Sequence, residues 1–393
     1  MSLINHAARD TIVISYPIGV DFLKKFCLIC AVLLLAHACV FPIYASPTVS
    51  ASSAVLIEAD GGCVLLDVNA HTRMPMASTT KIMTALVALE RTDPAQTVTV
   101  SEKAVGIEGS SVYLKAGEQL TMEQLLYALL LESANDAAAA IAIAVAGDIE
   151  TFSEMMNETA AKIGLMDTNF TNPHGLDDDA HYTTAYDLAI LAKYALGNDA
   201  FKKIVSTYKT TIPLNGTEGT RVLVNHNKML KTYDGAIGVK TGYTRHSGRC
   251  LVSAAERGGV TMIAVTLSAP DDWHDHTAML DYGFSLYESV SLAEIGEYTC
   301  TLDCIGGDTA QITVSNHAPV TAVLPKNRGP ISVQVTANRP LCAPIAKGDA
   351  IGEILFCAGG EEIARVPLCA DCDLKSPAEE KSITQKLKDF FTN

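Results

Sequence analysis

Positive charge is scarce in this 393-residue chain. It has 29 lysines and arginines against 44 aspartates and glutamates, which gives a formal net charge of -15 at pH 7. A nucleic-acid-binding protein needs a basic footprint, so the charge balance argues against nucleic acid as a partner. For the same reason the chain as a whole has no electrostatic attraction to an anionic membrane surface.

Long apolar runs are also scarce, and the one near the N-terminus, residues 26–40, is short for a membrane-spanning helix. Lys24 and Lys25 precede this run, and small residues follow it near Ala45. A positive segment, a short apolar segment and a small residue at the end are typical of a secretory signal peptide. We therefore expect residues 1–45 to be a leader that is cleaved after Ala45, and the rest of the chain to be exported.

Cysteine is not scarce, because the chain contains 11 cysteines and eight of them lie beyond the leader. An even number in an exported chain permits disulfides, and free thiols are the alternative. Cys369 and Cys372 have the spacing of a zinc knuckle, but no second pair with histidines matches them. A disulfide or free thiols are favoured over zinc, and no metal is expected.

The remaining composition indicates a folded chain of about two domains, because 48% of its residues are hydrophobic and 19% are charged. Apolar runs predict two strands around a turn at Asp60-Gly61, then a block of helices, three strands and a last helix near 273–287. Capping boxes are predicted at Thr121 with Gln124 and at Thr151 with Glu154. Strands that enclose a helical block indicate an α+β domain over residues 46–290.

The pattern of the sequence changes near residue 291. Short β-type runs at 311–314, 332–335 and 353–356 alternate with Gly, Pro and Asn turns, which predicts a small all-β domain over residues 291–375. The tail, residues 376–393, is amphipathic in its last part. It could make a weak membrane-surface contact or be a surface helix, and its pattern leaves both open.

Ser78 and Lys81 carry the clearest chemical signal. On a helix they would share one face. A serine hydroxyl becomes a good nucleophile when a base takes its proton, and a lysine can be that base where burial or nearby cations lower its pKa. Apolar residues at helical spacing after Lys81 predict that this helix is buried. A serine that caps a helix, with a lysine in solvent, is the alternative, and Ser206 with Lys209 repeats the spacing.

Two further motifs, Ser133-Ala134-Asn135 and Lys240-Thr241-Gly242, follow in the order found in penicillin-binding proteins and class A β-lactamases. Ala134 stands where the usual middle motif has Asp. With residues 131–137, 172–176 and 238–244, the chain resembles serine-type D-alanyl-D-alanine carboxypeptidases, the low-molecular-mass penicillin-binding proteins. The resemblance implies the penicillin-binding/β-lactamase-like transpeptidase fold, an antiparallel sheet with a helical block, followed by the small β-domain.

The resemblance also implies roles for eight residues and places the enzyme in the cell wall or at the outer face of the cytoplasmic membrane. Its substrates would be peptidoglycan stem peptides and its inhibitors β-lactams, with no cofactor. Ser78 would form the acyl-enzyme, Lys81 would take its proton, Ser133 would relay that proton and Asn135 would hold Lys81 and the substrate. The substrate-binding residues would be Lys240 and Thr241 at the terminal carboxylate, with Gly242 and Tyr243 completing the strand and the backbone amides of Ser78 and Tyr243 forming the oxyanion hole.

One departure from the family lies at residues 269–276, where many relatives place an arginine that grips the substrate carboxylate. No arginine stands there, so recognition would depend on Lys240 and Thr241. The Asp and His residues of this stretch are expected to favour a helix N-terminus rather than bind a metal. His174 is likewise expected to be structural. A β-lactamase and a catalytically silent wall-binding protein are the alternative functions.

Overall fold

The computed structural model describes residues 46–214 and 219–376. The described chain divides into two compact units at Glu288/Ser289. The predicted leader, 1–45, lies outside the described residues, and so does the tail except for residue 376. Every helix within the described ranges is too short or too polar to cross a bilayer.

The first unit is built on a five-stranded antiparallel sheet. The described part of this unit contains nine strands, five of which form that sheet. They are β1 Ser53–Glu58, β2 Val64–Val68, β3 Thr97–Thr99, β4 Gln119–Thr121, β5 Lys209–Pro213, β6 Thr220–Val224, β7 Ala236–Thr244, β8 Gly248–Arg257 and β9 Val260–Leu267. The main sheet has the spatial order β2-β1-β9-β8-β7, while β3 pairs with β4 and β5 with β6. The first strand of the unit is thus next to its last strand, and β7 ends the sheet.

Eight helices accompany these strands in the described part of the first unit. They are α1 Lys81–Arg91, α2 Met122–Leu131, α3 Asn135–Ala146, α4 Ile149–Lys162, α5 Ala185–Leu196, α6 Asp199–Ser206, α7 Met229–Thr232 and α8 Asp272–Leu286. Helix α1 contacts α2, α3, α4 and α5, and α5 and α8 both pack on the sheet. The predicted α+β class, with a helical block against an antiparallel sheet, is confirmed.

The Ala-rich helix α3 lies at the centre of this block, where its small side chains let the neighbouring helices approach closely. Its residues 135–142 are all buried. The predicted capping box of α2 is present, with Thr121 and Gln124 each bonding the other's backbone N–H. The capping box predicted at Thr151 and Glu154 is wrong, because Asp148 is the N-cap and accepts from the Thr151 N–H, so α4 begins three residues earlier.

The second unit is the small all-β domain that the turn-rich sequence predicts. Its strands are β10 Tyr287–Ala293, which crosses the division between the units, β11 Thr299–Ile305, β12 Gln311–Ser315, β13 Val320–Pro325, β14 Ile331–Ala337, β15 Leu341–Cys342, β16 Ala350–Ala358 and β17 Glu361–Ala370. Six form a sheet of order β14-β16-β17-β12-β11-β15, and β10 pairs with β13. Alternate residues of these strands build a separate apolar core.

The cysteines that the structure describes are all free thiols, including Cys369 and Cys372. Cys369 is buried beside the core of the second unit, whereas Cys372 is exposed. Within residues 46–214 and 219–376, no three His, Cys, Asp or Glu side chains are grouped so that they could hold a metal ion.

Candidate active site

Ser78 lies inside a 3₁₀ turn, Ala77–Thr80, that leads directly into α1. The turn is held by its own threonines, since Thr79 Oγ1 donates to the Met76 carbonyl at 2.7 Å and Thr80 Oγ1 to the Ala77 carbonyl at 2.8 Å. Ala77 has a φ of 47°, a left-handed conformation that is rare for a residue with a side chain. Strained backbone of this kind is concentrated at functional sites, where the surrounding structure maintains it.

Lys81, the first residue of α1, is completely buried, and its amine has three close neighbours. Nζ lies 2.8 Å from Ser78 Oγ, 2.7 Å from Asn135 Oδ1 and 2.5 Å from the His174 carbonyl oxygen. The structure therefore brings Ser78, Lys81 and Asn135 together, and the alternative of a solvent-facing Lys81 is excluded.

Lys81 Nζ donates to all three oxygens, and a neutral amine, which has two N–H donors and one lone pair, can keep two of these bonds. The Asn135 and His174 oxygens can only accept, so they take the two N–H groups. Loss of the third proton of Lys81 would reverse the contact with Ser78 Oγ, so that the lone pair of the amine accepts the hydroxyl proton. Burial, followed by the positive charge of Lys240, holds the pKa of Lys81 well below its ordinary 10.5. This arrangement can activate the hydroxyl for nucleophilic attack.

Asn135 is fixed by the loop that precedes β4. Its Nδ2 donates to the Glu108 carbonyl at 2.5 Å, and its backbone N–H donates to the Ser110 carbonyl at 2.7 Å. The next residue, Asp136, is buried and accepts from Ser111 Oγ at 2.7 Å. Its carboxylate also accepts backbone N–H groups at 3.2, 2.9 and 3.0 Å, from Val112, Leu114 and Ala137. This role of Asp136 could not be predicted from local spacing, because Ser111, Val112 and Leu114 lie more than 20 residues away.

Ser133 lies in the short link between α2 and α3, two residues before Asn135. It is 5% exposed and has a φ of 59°, so, like Ala77, it is a buried residue with left-handed backbone. The motif Ser133-Ala134-Asn135 thus lies at the start of α3, with Asn135 directed at Lys81.

Lys240, on the edge strand β7, is the second buried lysine, with 1% of its surface exposed. Its Nζ donates to the Thr241 carbonyl at 2.9 Å. Burial lowers the pKa of Lys240 to about 7, so near neutral pH its amine is divided between the charged and neutral forms. Tyr243, two residues beyond Thr241 on the same strand, is 66% exposed.

Two glycines allow the backbone segments of the site to approach one another. A Cβ on Gly242 would lie 3.1 Å from Ser78 N and from the Met76 carbonyl oxygen, so this glycine lets β7 lie against the nucleophile turn. Gly175 has a φ of 85°, and a Cβ there would lie 1.9 Å from the Ala77 carbonyl oxygen. The close packing of Gly175 on the turn keeps the preceding carbonyl, that of His174, within reach of Lys81.

The His174 side chain is 7% exposed, and its Nδ1 accepts from the Leu176 N–H at 3.3 Å. Burial and the nearby Lys81 amine lower the pKa of His174 to about 3, so the ring is neutral. What His174 supplies to the site is therefore its backbone carbonyl, which sequence reasoning could not have identified.

The stretch without an arginine, residues 269–276, forms the start of α8. Asp272 Oδ1 accepts from Arg249 Nη2 at 2.8 Å, Asp275 Oδ1 from the Ser50 N–H at 2.9 Å, and His276 Nε2 lies 2.9 Å from Thr266 Oγ1. These acidic residues are thus engaged in structural contacts at a helix N-terminus. Arg249 was missed in the sequence, because only the register of β7 and β8 places it opposite Tyr243.

Family comparisons match both units. Residues 42–271 match the peptidase S11 family, described as D-alanyl-D-alanine carboxypeptidase, and residues 287–376 match the C-terminal domain of penicillin-binding protein 5. Fold and comparisons together define a serine-type peptidase of the penicillin-binding class.

Individual relatives agree. The D-alanyl-D-alanine carboxypeptidase DacF of Bacillus subtilis is 35% identical over 335 residues, covering 83% of this chain and 86% of that protein. DacC of Escherichia coli is 31% identical, with 82% and 84% covered. Among solved structures, penicillin-binding protein 5 of Haemophilus influenzae is similar, with a TM-score of 0.64, 27% identity and coverage of 84% of this chain and 99% of that one. The chain belongs to the peptidase S11 family of D-alanyl-D-alanine carboxypeptidases.

Proposed function

We propose that this protein removes the terminal D-alanine from peptidoglycan stem pentapeptides through an acyl-enzyme on Ser78. The observation that carries the proposal is the fully buried Lys81, whose Nζ lies 2.8 Å from Ser78 Oγ. The activity for which the two relatives are named, D-alanyl-D-alanine carboxypeptidase, supports the substrate class. We propose that the enzyme is exported and acts in the cell wall or at the outer face of the cytoplasmic membrane.

In the first step Ser78 Oγ attacks the carbonyl between the two D-alanines, while its proton passes to the lone pair of Lys81. The backbone N–H groups of Ser78 and Tyr243 stabilise the oxyanion, an effect that is usually large in acyl transfer. Because β7 is the end strand of its sheet, its outer edge can pair with an extended peptide and align the scissile bond.

In the second step the carbon–nitrogen bond breaks, and the leaving D-alanine nitrogen takes the proton from Lys81 by way of the Ser133 hydroxyl. Asn135 keeps Lys81 oriented and binds a substrate amide. Thr241 hydrogen-bonds the terminal carboxylate, and Lys240 adds positive potential near it. A water molecule then attacks the ester on Ser78, which releases the shortened peptide and restores the serine hydroxyl. Penicillins would acylate Ser78 by the same route.

The test is digestion of a pentapeptide that ends in D-Ala-D-Ala, with the parent and Ser78→Ala compared at equal concentration. The parent should release free D-alanine, and Ser78→Ala should release none while keeping the parent's thermal unfolding midpoint. Equal release by both proteins would refute the role of Ser78. A fluorescent penicillin should label the parent and leave it slowly, whereas rapid penicillin turnover would indicate a β-lactamase.

A further inference from the structure

The two faces of the β7–β8 hairpin have different surroundings. Gly242 faces the nucleophile turn, and its cross-strand partner Cys250 does the same, with Sγ 3.8 Å from the Pro75 carbonyl oxygen. Side chains alternate along a strand, so Thr241 and Tyr243 occupy the opposite face of β7. Arg249 lies opposite Tyr243 and is therefore on that same face, diagonal to Thr241.

The Arg249 side chain is held but not buried. Its Nη2 donates to Asp272 Oδ1 at 2.8 Å, and the guanidinium carbon lies 5.8 Å from the centre of the Trp273 ring. The Asp272 side chain is 4% exposed, whereas that of Arg249 is 43% exposed. A buried carboxylate thus fixes one end of a guanidinium that has five N–H donors, which leaves donors available at the surface.

A permanent positive charge at this position matters for a substrate that ends in a carboxylate. The Lys240 amine is buried on the other face of β7, and its pKa of about 7 leaves it only partly charged at neutral pH. A guanidinium keeps its charge at every working pH, and its planar donors match a carboxylate. A long side chain diagonal to Thr241 in an antiparallel pair can reach a group that Thr241 binds.

Building on the proposed function, we propose that Arg249, held by Asp272, binds the C-terminal carboxylate of the stem peptide together with Thr241. It supplies from β8 the cation that residues 269–276 lack. Arg249 is then a specificity-determining residue that selects peptides with a free C-terminal carboxylate over those with a neutral end.

The test compares two substrates, a pentapeptide ending in D-Ala-D-Ala and the same peptide with a C-terminal carboxamide. For the parent we expect kcat/KM to be at least about tenfold higher on the acid. Arg249→Gln should lower kcat/KM on the acid roughly 10- to 100-fold, as for loss of a charge-assisted hydrogen bond, and leave the amide nearly unchanged. The loss should lie mainly in KM, because the carboxylate is present in both ground state and transition state.

Arg257→Gln is the matched control. Arg257 is also on β8, its parity places it on the same face, and it is paired with Asp234 and Asp281 at 3.8 and 3.6 Å. Eight residues along a strand place it roughly 26 Å from Arg249, so its removal should not change the acid-to-amide ratio.

Arg249→Gln in an Asp272→Asn background avoids leaving a buried carboxylate without its cation, and Arg249→Lys should recover part of the ratio. These two variants keep the test valid if the single variant unfolds. An unchanged acid-to-amide ratio in folded Arg249→Gln, with an active parent, would overturn the assignment to Arg249. A parent that releases nothing from either peptide would overturn the proposed function and this inference with it.

Discussion

Replacing Lys240 by methionine should make the protein more stable and less active. The substitution keeps a long unbranched side chain of similar volume in a position that is 1% exposed. It removes an amine whose protonated form is disfavoured by burial, and this burial is what lowers the pKa of Lys240. It also removes the cation that the proposed mechanism places near the substrate carboxylate.

The size of the effect follows from the pKa of Lys240. A fall from the ordinary 10.5 to about 7 corresponds, at about 1.36 kcal/mol for each unit, to about 5 kcal/mol against the protonated amine. Loss of the hydrogen bond to the Thr241 carbonyl offsets about 1–2 kcal/mol. The net gain is about 3 kcal/mol, or about 6–12 °C in the unfolding midpoint for a unit of this size.

The gain should depend on pH in a defined direction. Below about pH 7 both folded and unfolded parent hold the Lys240 proton, and the folded state bears the full burial penalty. Between about pH 7 and 10.5 the unfolded chain binds more protons than the folded one, so parental stability rises with pH. The advantage of Lys240→Met should therefore be largest below pH 7 and shrink steadily above it.

Urea unfolding of the full chain measures this difference. Trp273, the single tryptophan, lies in the first unit, so its fluorescence follows the unfolding of the unit that contains Lys240. Parent and variant would be compared at pH 6, 7, 8.5 and 9.5, chosen to span the window above. Lys202→Met is the control, because this lysine is 43% exposed in an ion pair with Glu256 at 2.9 Å, and its change should stay within about 0.5 kcal/mol.

Two results would refute the reasoning. Lys240→Met could be no more stable than the parent at pH 6, or its advantage could be the same at every pH. Either would show that Lys240 does not carry a burial penalty. A second measurement, enzyme kinetics, tests the functional part of the prediction: kcat/KM on the acid pentapeptide should fall by at least about tenfold, since the cation near the carboxylate is lost.

Three further substitutions test how the site is held together. Asp136→Asn weakens the acceptor for three backbone amides and Ser111, so the support of Asn135 loosens and kcat/KM should fall at least about tenfold. Arg221→Met removes the cation paired with the buried Glu118 carboxylate and should destabilise the first unit by about 3 kcal/mol, measured by urea unfolding. Gly242→Ala places a Cβ 3.1 Å from Ser78 N and should slow penicillin acylation severalfold with little change in unfolding midpoint.

Each has its own contradicting result. Unchanged kinetics in Asp136→Asn would mean that the loop over residues 108–114 does not position Asn135. If Arg221→Met unfolds at the same urea concentration as the parent, the predicted loss of stability is wrong. Adding Glu118→Gln to Arg221→Met should restore part of the lost stability. If Gly242→Ala is acylated by penicillin at the parental rate, the prediction for Gly242 is wrong, because the close approach of β7 to the nucleophile turn would then be unnecessary.

The sequence alone determined the family of this protein and predicted the residues of its candidate site, because both depend on residue types at short spacings. The local motifs are Ser78 with Lys81, Ser133 with Asn135, and Lys240 with Thr241 and Gly242. The class of fold was likewise accessible, since period-2 and period-3.6 apolar patterns decide strands and helices locally. The N-cap of α4 shows the limit of prediction from local sequence. Asp148 and Thr151 are both residue types that cap helices, and only the structure shows that Asp148 is the cap.

Only the tertiary structure decided what surrounds those motifs. Burial of Lys81 and Lys240 arises from helices distant in the chain, and burial lowers the pKa of both amines. The His174 carbonyl that orients Lys81 is a backbone group with no signature in the sequence. Arg249 stands near Thr241 only because the β7–β8 register places it there. Spacing along a chain encodes which groups are available, but distances, burial and register between remote segments exist only after the chain has folded.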